Sequence, residues 1–225
     1  MPTRPILDPR KVNEATGSVP KPRIEIPPRI RRQFGFSPDF DKLHEGDLVL
    51  VSAIEKPWDL QKIVDSQDAG GYATEDSCWH HAAVYIGNRI ICEARKRAGV
   101  QLGSLYDYVG PNFLLLFRRP RDLTPEMRCQ IAIYSLCQLH KPYSLKKIFT
   151  LYKQCKEGLW HPLAKLARQG SDAGTICSKV YSDAYYAATK MVLRDVSFDS
   201  PLPAQLSRTS SLVDIPVSWL RIPRS

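Results

Sequence analysis

The stretch His81-Ala82-Ala83-Val84-Tyr85-Ile86-Gly87-Asn88-Arg89-Ile90-Ile91-Cys92-Glu93 is the clearest hairpin signal in the chain and the strongest constraint on its fold. Apolar and β-branched runs flank Gly87-Asn88, a dipeptide suited to the left-handed conformations of a tight turn. Strands are expected over 81–86 and 90–93. Others are expected over Leu48–Ala53 after a turn at 42–47, over 113–118 ahead of Pro120, and over 213–220. Thr124-Pro125-Glu126 reads as a helix start with proline at the first helical position, opening a helix over 125–139. A second long helix over 176–191 turns Val180, Ala184, Ala187, Ala188 and Met191 inward. Residues 66–77 read as a polar, glycine-containing loop. Residues 144–167, carrying Phe149, Tyr152 and Trp160 among lysines, read as two short basic helices broken near Gly158 and Pro162. This mixture points to an α+β fold in which an antiparallel sheet packs against helices.

Composition limits the alternatives. Apolar residues make up 43% of 225, enough for one sizeable core. The strongest apolar runs, 48–54 and 113–117, are strand-sized, so no integral membrane segment is expected. The first residues, Met1-Pro2-Thr3-Arg4-Pro5-Ile6-Leu7-Asp8-Pro9, lack the apolar segment of a secretory signal. The expected location is cytoplasmic, or exported by another route. Eight of the 18 prolines lie within the first 38 residues, and residues 1–33 hold eight Lys or Arg against three Asp or Glu. Residues 1–39 are therefore expected to form a Pro-rich, basic, flexible arm with no regular helix around Pro27-Pro28, and residues 40–225 the folded domain. The arm and the basic segment 141–168 are candidate contacts for an anionic partner or membrane surface.

Six cysteines at irregular spacing, with no Cys-x-x-Cys, read as reduced thiols. Cys177 stands apart. It follows Gly170-Ser171-Asp172-Ala173-Gly174-Thr175, and with Thr175 as N-cap it would lie in the first turn of a helix, where free N–H groups and the dipole favour a thiolate. A nucleophilic thiolate needs an imidazole to exchange its proton, and His81 at a strand start can supply one. Glu93 on the next strand can hold the imidazole's tautomer. A three-residue loop, Ile86-Gly87-Asn88, sets His81 opposite Glu93; a two-residue turn at Gly87-Asn88 sets Ala82 there and separates the pair unless a bulge intervenes. Tyr143, His80, Thr175 and Ser178 are candidates for the substrate cleft, although His80 must point away from His81 across the strand. Cys78, His80, His81 and Cys92 form an alternative zinc set without paired-cysteine spacing. No cofactor or metal is expected.

Gly46-Asp47-Leu48, His81-Ala82-Ala83-Val84-Tyr85-Ile86-Gly87, Ile91-Cys92-Glu93-Ala94 with Gly99-Val100, His140-Lys141-Pro142-Tyr143, and Cys177-Ser178-Lys179-Val180-Tyr181 with Ala184-Tyr185 occur in an order that resembles the circularly permuted NlpC-type, papain-like cysteine hydrolases. The resemblance is nearest to their YiiX/YebB-like branch, with the lecithin:retinol acyltransferases more distant. It implies a permuted papain-like fold, Cys177 as nucleophile, His81 as base and Glu93 as its orienting residue. The implied activity is amidase- or peptidase-like acyl transfer to water on a peptide or other acyl-bearing substrate. Two departures stand out: alanines follow His81, and the acyltransferase sequence Asn-Cys-Glu-His is absent around Cys177. Acyl-lipid chemistry on the same fold and a catalytically inactive basic binding module are the competing expectations.

Overall fold

Leu48-Val49-Leu50-Val51 is apolar at every position, so a strand here must be covered on both faces. The computed structural model, which describes residues 4–15, 17–19, 26–144, 174–197, 199 and 201–223, shows this two-sided burial. In chain order its strands are β1 (Gly17–Ser18), β2 (Phe36–Pro38), β3 (Leu48–Ala53), β4 (His81–Gly87), β5 (Ile90–Arg95), β6 (Gly99–Ser104), β7 (Phe113–Pro120), β8 (Leu212–Asp214) and β9 (Trp219–Arg221). The α-helices are α1 (Trp58–Ala69), α2 (Thr74–Ser77), α3 (Pro125–Leu136), α4 (Cys177–Thr189) and α5 (Pro203–Arg208). Six strands form an antiparallel sheet in the order β6-β5-β4-β3-β7-β8. The molecule is thus α+β, with an antiparallel sheet against helices.

One face of the sheet, bearing Leu48, Leu50, Ala82, Val84, Cys92 and Leu116, packs on Ile131 of α3 and on Val180, Tyr181 and Ala184 of α4. On the other, Val49, Val51, Ala83, Tyr85 and Phe117 lie under Leu7, Ile26, Ile30, Trp219 and Ile222. Leu7, Ile26 and Ile30, within the segment expected to form a flexible arm, are therefore part of this core. Leu7 exchanges backbone hydrogen bonds with Leu115, β1 and β2 flank β9, and Arg4 bridges Asp76 and Asp214, both at 2.9 Å. Proline does not prevent a helical turn here. Pro27 and Pro28 stand before and at its start, where a missing N–H costs little, and the Pro27 carbonyl accepts from Ile30 and Arg31. Ile30→Ala is accordingly expected to destabilise the protein by about 2–5 kcal/mol in urea unfolding, where a loose arm would give almost nothing.

Two other expectations are revised. The segment read as a loop over 66–77 contains the end of α1 and all of α2. Most of α1 is polar, and it is held through fully buried Gln67, whose amide donates to the carbonyls of Ser77 and Trp79 and accepts from Ala204 N–H. The strand expected over 213–220 is two strands in different sheets, β8 on β7 and β9 between β1 and β2. Pro216, lacking an N–H, lies in the break between them. The basic segment expected as helices over 144–167, with Phe149, Tyr152 and Trp160, lies outside the described residues apart from Ser144. Among the described residues no helix is long and apolar enough to cross a membrane.

Candidate active site

The β4–β5 hairpin closes on Gly87 and Ile90, with Asn88 and Arg89 both at positive φ, 50° and 62°. This is the backbone pattern of a two-residue hairpin turn, placed one residue later than Gly87-Asn88. A bulge between Tyr85 and Gly87 then sets Ala83 opposite Glu93. Neither expected register holds. Because His81 stands two positions from Ala83, parity is kept and it shares a face with Glu93 as a diagonal neighbour, about 7–8 Å away along the backbone and within reach of long side chains. The side chains meet: His81 Nε2 lies 2.6 Å from Glu93 Oε2.

Glu93 is fully buried. Its Oε2 also accepts from the Tyr108 hydroxyl at 2.6 Å, and Arg95 Nε forms an ion pair with Oε1 at 2.8 Å. Burial opposes its charge, but His81 first, then Tyr108 and Arg95, hold the carboxyl below its ordinary range. Gly103 on the neighbouring β6 leaves the space for this carboxylate, since a β-carbon there would collide with Oε1. Sequence reading missed Tyr108, Arg95 and Gly103. Arg95 had a signal, because residues two apart on a strand share a face; Tyr108 had none, lying on a 3-10 turn (Leu105–Tyr108) beyond β6.

Cys177 is the first residue of α4. Its N-cap is Ile176 instead of the expected Thr175, and no side chain caps the helix. Thr175 instead pairs as a β-bridge with Tyr143, its N–H bonding the Pro142 carbonyl. That bridge is tied onward to the sheet, because Val100 exchanges backbone hydrogen bonds with His140 and Lys141. At φ +70°, Gly99 allows Lys141 to approach where a β-carbon would clash. The start of α4 is thereby fixed to the end of the sheet that carries His81.

There the Cys177 thiol lies beside the His81 imidazole and the N–H groups of Ala82 and Ser178, all close enough to bear on its charge. Burial alone would push the thiol up; the His81 imidazole, then the two N–H groups, bring it below its ordinary value. Burial likewise disfavours charge on His81, but its interactions with Cys177 and Glu93 outweigh this and lift it to about 9. Cys78 and Cys92 behave oppositely, burial pushing both to about 11. An imidazolium facing a thiolate, with a buried carboxylate behind it, is an arrangement able to attack a carbonyl and protonate a leaving group.

The remaining candidates fall differently. His80 is buried, and its Nε2 accepts from Ala53 N–H at 2.8 Å at the end of β3; burial lowers it to about 3, so the ring is neutral. Ser178 is fully buried and donates to the Pro201 carbonyl at 2.6 Å, and Thr175 is only 3% exposed. The side chains of these three pack inside the protein and do not line an open cleft. Of the four candidates only Tyr143 is partly exposed, and the Cys177 charge, after burial, raises its hydroxyl's pKa. The alternative zinc set is not assembled, for Cys92 Sγ bonds the Ser135 carbonyl while His81 serves Glu93. Among the described residues no group of three or more His, Cys, Asp or Glu is placed to hold a metal ion.

No protein-family model matches the sequence, and no curated protein matches it. Among solved structures, the chain is similar to that of the metalloprotein YiiX from Escherichia coli O157:H7, at 15% identity and a TM-score of 0.49, over 77% of this chain and 97% of that one.

Proposed function

We propose that this protein is a thiol-dependent hydrolase that cleaves an amide or related acyl bond, with Cys177 as nucleophile, His81 as acid and base, and Glu93 as the residue orienting His81. The observation that carries this reading is the series Cys177–His81–Glu93, in which the thiol lies beside an imidazole whose Nε2 is 2.6 Å from the buried carboxylate, with the thiol lowered and the imidazole raised.

The thiolate attacks the substrate carbonyl carbon, forming a C–S bond and moving an electron pair onto oxygen. A backbone N–H at the start of α4, where no side chain caps the helix, is suited to receive that oxyanion, and the Tyr143 hydroxyl, kept protonated by burial and by the thiolate's charge, is a second candidate donor. Collapse of the intermediate expels the leaving amine or alkoxide, which takes the imidazolium proton. Neutral His81 then removes a proton from water as its oxygen attacks the thioester. Carboxylic acid leaves, and the thiolate–imidazolium pair is restored.

Incubation of the full chain with excess p-nitrophenyl acetate, followed by acid quenching and peptide mapping, is expected to find one acetyl group on Cys177. No adduct there, with no release of nitrophenol above background, would refute the assignment. Libraries of peptide amides and lipid esters, screened in the same way, separate peptidase-like from acyl-lipid chemistry by the mass of the trapped acyl group.

A further inference from the structure

The residues around Glu93 carry a directional argument that goes deeper into the proposed site and rests on that reading. The groups facing His81 and Glu93 are Cys177 from α4, Arg95 from β5, Tyr108 from the turn after β6, and His80, which is neutral. Asp107 faces Arg95 from outside at 3.9 Å.

A guanidinium has only donors. Arg95 donates to the Tyr108 hydroxyl oxygen at 3.1 Å, so the single proton of that hydroxyl is committed to Glu93 Oε2 at 2.6 Å. An ionised carboxylate only accepts, so the contact of Oε2 with His81 Nε2 requires Nε2 to carry a proton. The nitrogen left facing the thiol is Nδ1. Were Glu93 protonated, it could donate to Nε2, which would place the ring proton on Nδ1 and leave no lone pair for Cys177.

We propose that Arg95 and Tyr108 are positioning residues that set the direction of the hydrogen-bond chain through Glu93, and so fix which imidazole nitrogen exchanges a proton with Cys177. The chain runs Arg95 to Tyr108 to Glu93, with His81 donating to the same carboxylate oxygen from the other side. The Tyr108 ring also packs edge-on against Phe113 at 5.5 Å, so phenylalanine in its place keeps the packing and removes only the hydroxyl that links Arg95 to Glu93.

The test is the pH dependence of Cys177 alkylation by iodoacetamide in the full chain, together with nitrogen NMR of the His81 ring, and needs no substrate. In Tyr108→Phe the acid limb of alkylation is expected to move up by about one pH unit, the scale of one hydrogen bond to a charged group. The Nε2–H share of neutral His81 should fall with it. If the folded variant keeps both the wild-type limb and the wild-type tautomer, the inference is overturned. Should Tyr108→Phe not fold, Arg95→Gln carries the same expectation, since that side chain is 40% exposed, and Arg95→Lys should restore part of the shift. A wild-type limb at the ordinary thiol value would overturn the catalytic pair itself, whereas a low wild-type limb unmoved in the variants would sink only the positioning role.

Discussion

Cys177→Ala is expected to lower acyl-substrate turnover by about 10^4-fold or more while leaving the fold intact. In the proposed mechanism the sulfur is the atom that forms the covalent intermediate, and no other thiol in the described structure shares its surroundings. Cys78 and Cys92 have only carbonyl partners, Glu75 and Ser135, and no imidazole. Stability should change little. Cys177 is a small side chain at a helix start, 6% exposed, and removing one sulfur leaves a hole worth about 1 kcal/mol. Turnover measured beside a thermal melt separates the two effects. Wild-type turnover in a folded Cys177→Ala protein would end the nucleophile assignment.

His81→Ala should be nearly as severe, with a loss of about 10^3-fold or more, and it adds a signature in pH. In the wild type the pair exists as thiolate and imidazolium between the lowered pKa of Cys177 and about 9, where His81 gives up its proton. Turnover should fall below this window, as the thiolate is protonated, and above it, as the leaving group loses its acid. Iodoacetate, an anion drawn to the imidazolium, should alkylate Cys177 fastest within the same window. In His81→Ala the bell should vanish, and alkylation should instead rise once, through the ordinary thiol range near about 8.5. A bell that survives in the variant would mean that another group supplies the proton.

Much of this site was legible because its parts are local. Of the two registers the turn signal left open, one set His81 and Glu93 on one face, and the bulged register observed keeps that parity because it differs from it by two residues. The start of α4 was marked by the glycine-containing run before Cys177 and the apolar spacing after it, although Ile176 instead of Thr175 takes the cap. Three of the four candidate cleft residues are buried. His80, Thr175 and Ser178 adjoin reactive residues in sequence, but their polar groups are turned to satisfy buried backbone. The helix α1 was hidden because a polar segment held by one buried glutamine has little apolar periodicity to read.

By itself the amino-acid order determined the hairpin, a helix start beside Cys177 and the α+β class, since each follows from neighbours a few residues apart, and it offered Cys177, His81 and Glu93 as candidate reacting groups. Tertiary structure alone decided that the proline-rich beginning and the chain's end would cover the second face of β3, because closing such distant segments depends on which sheet face remains uncovered. It also decided that Tyr108, Arg95 and Gly103 would surround Glu93. A carboxylate stays charged in a buried position only where donors converge from separate strands and turns, and no local pattern records that convergence.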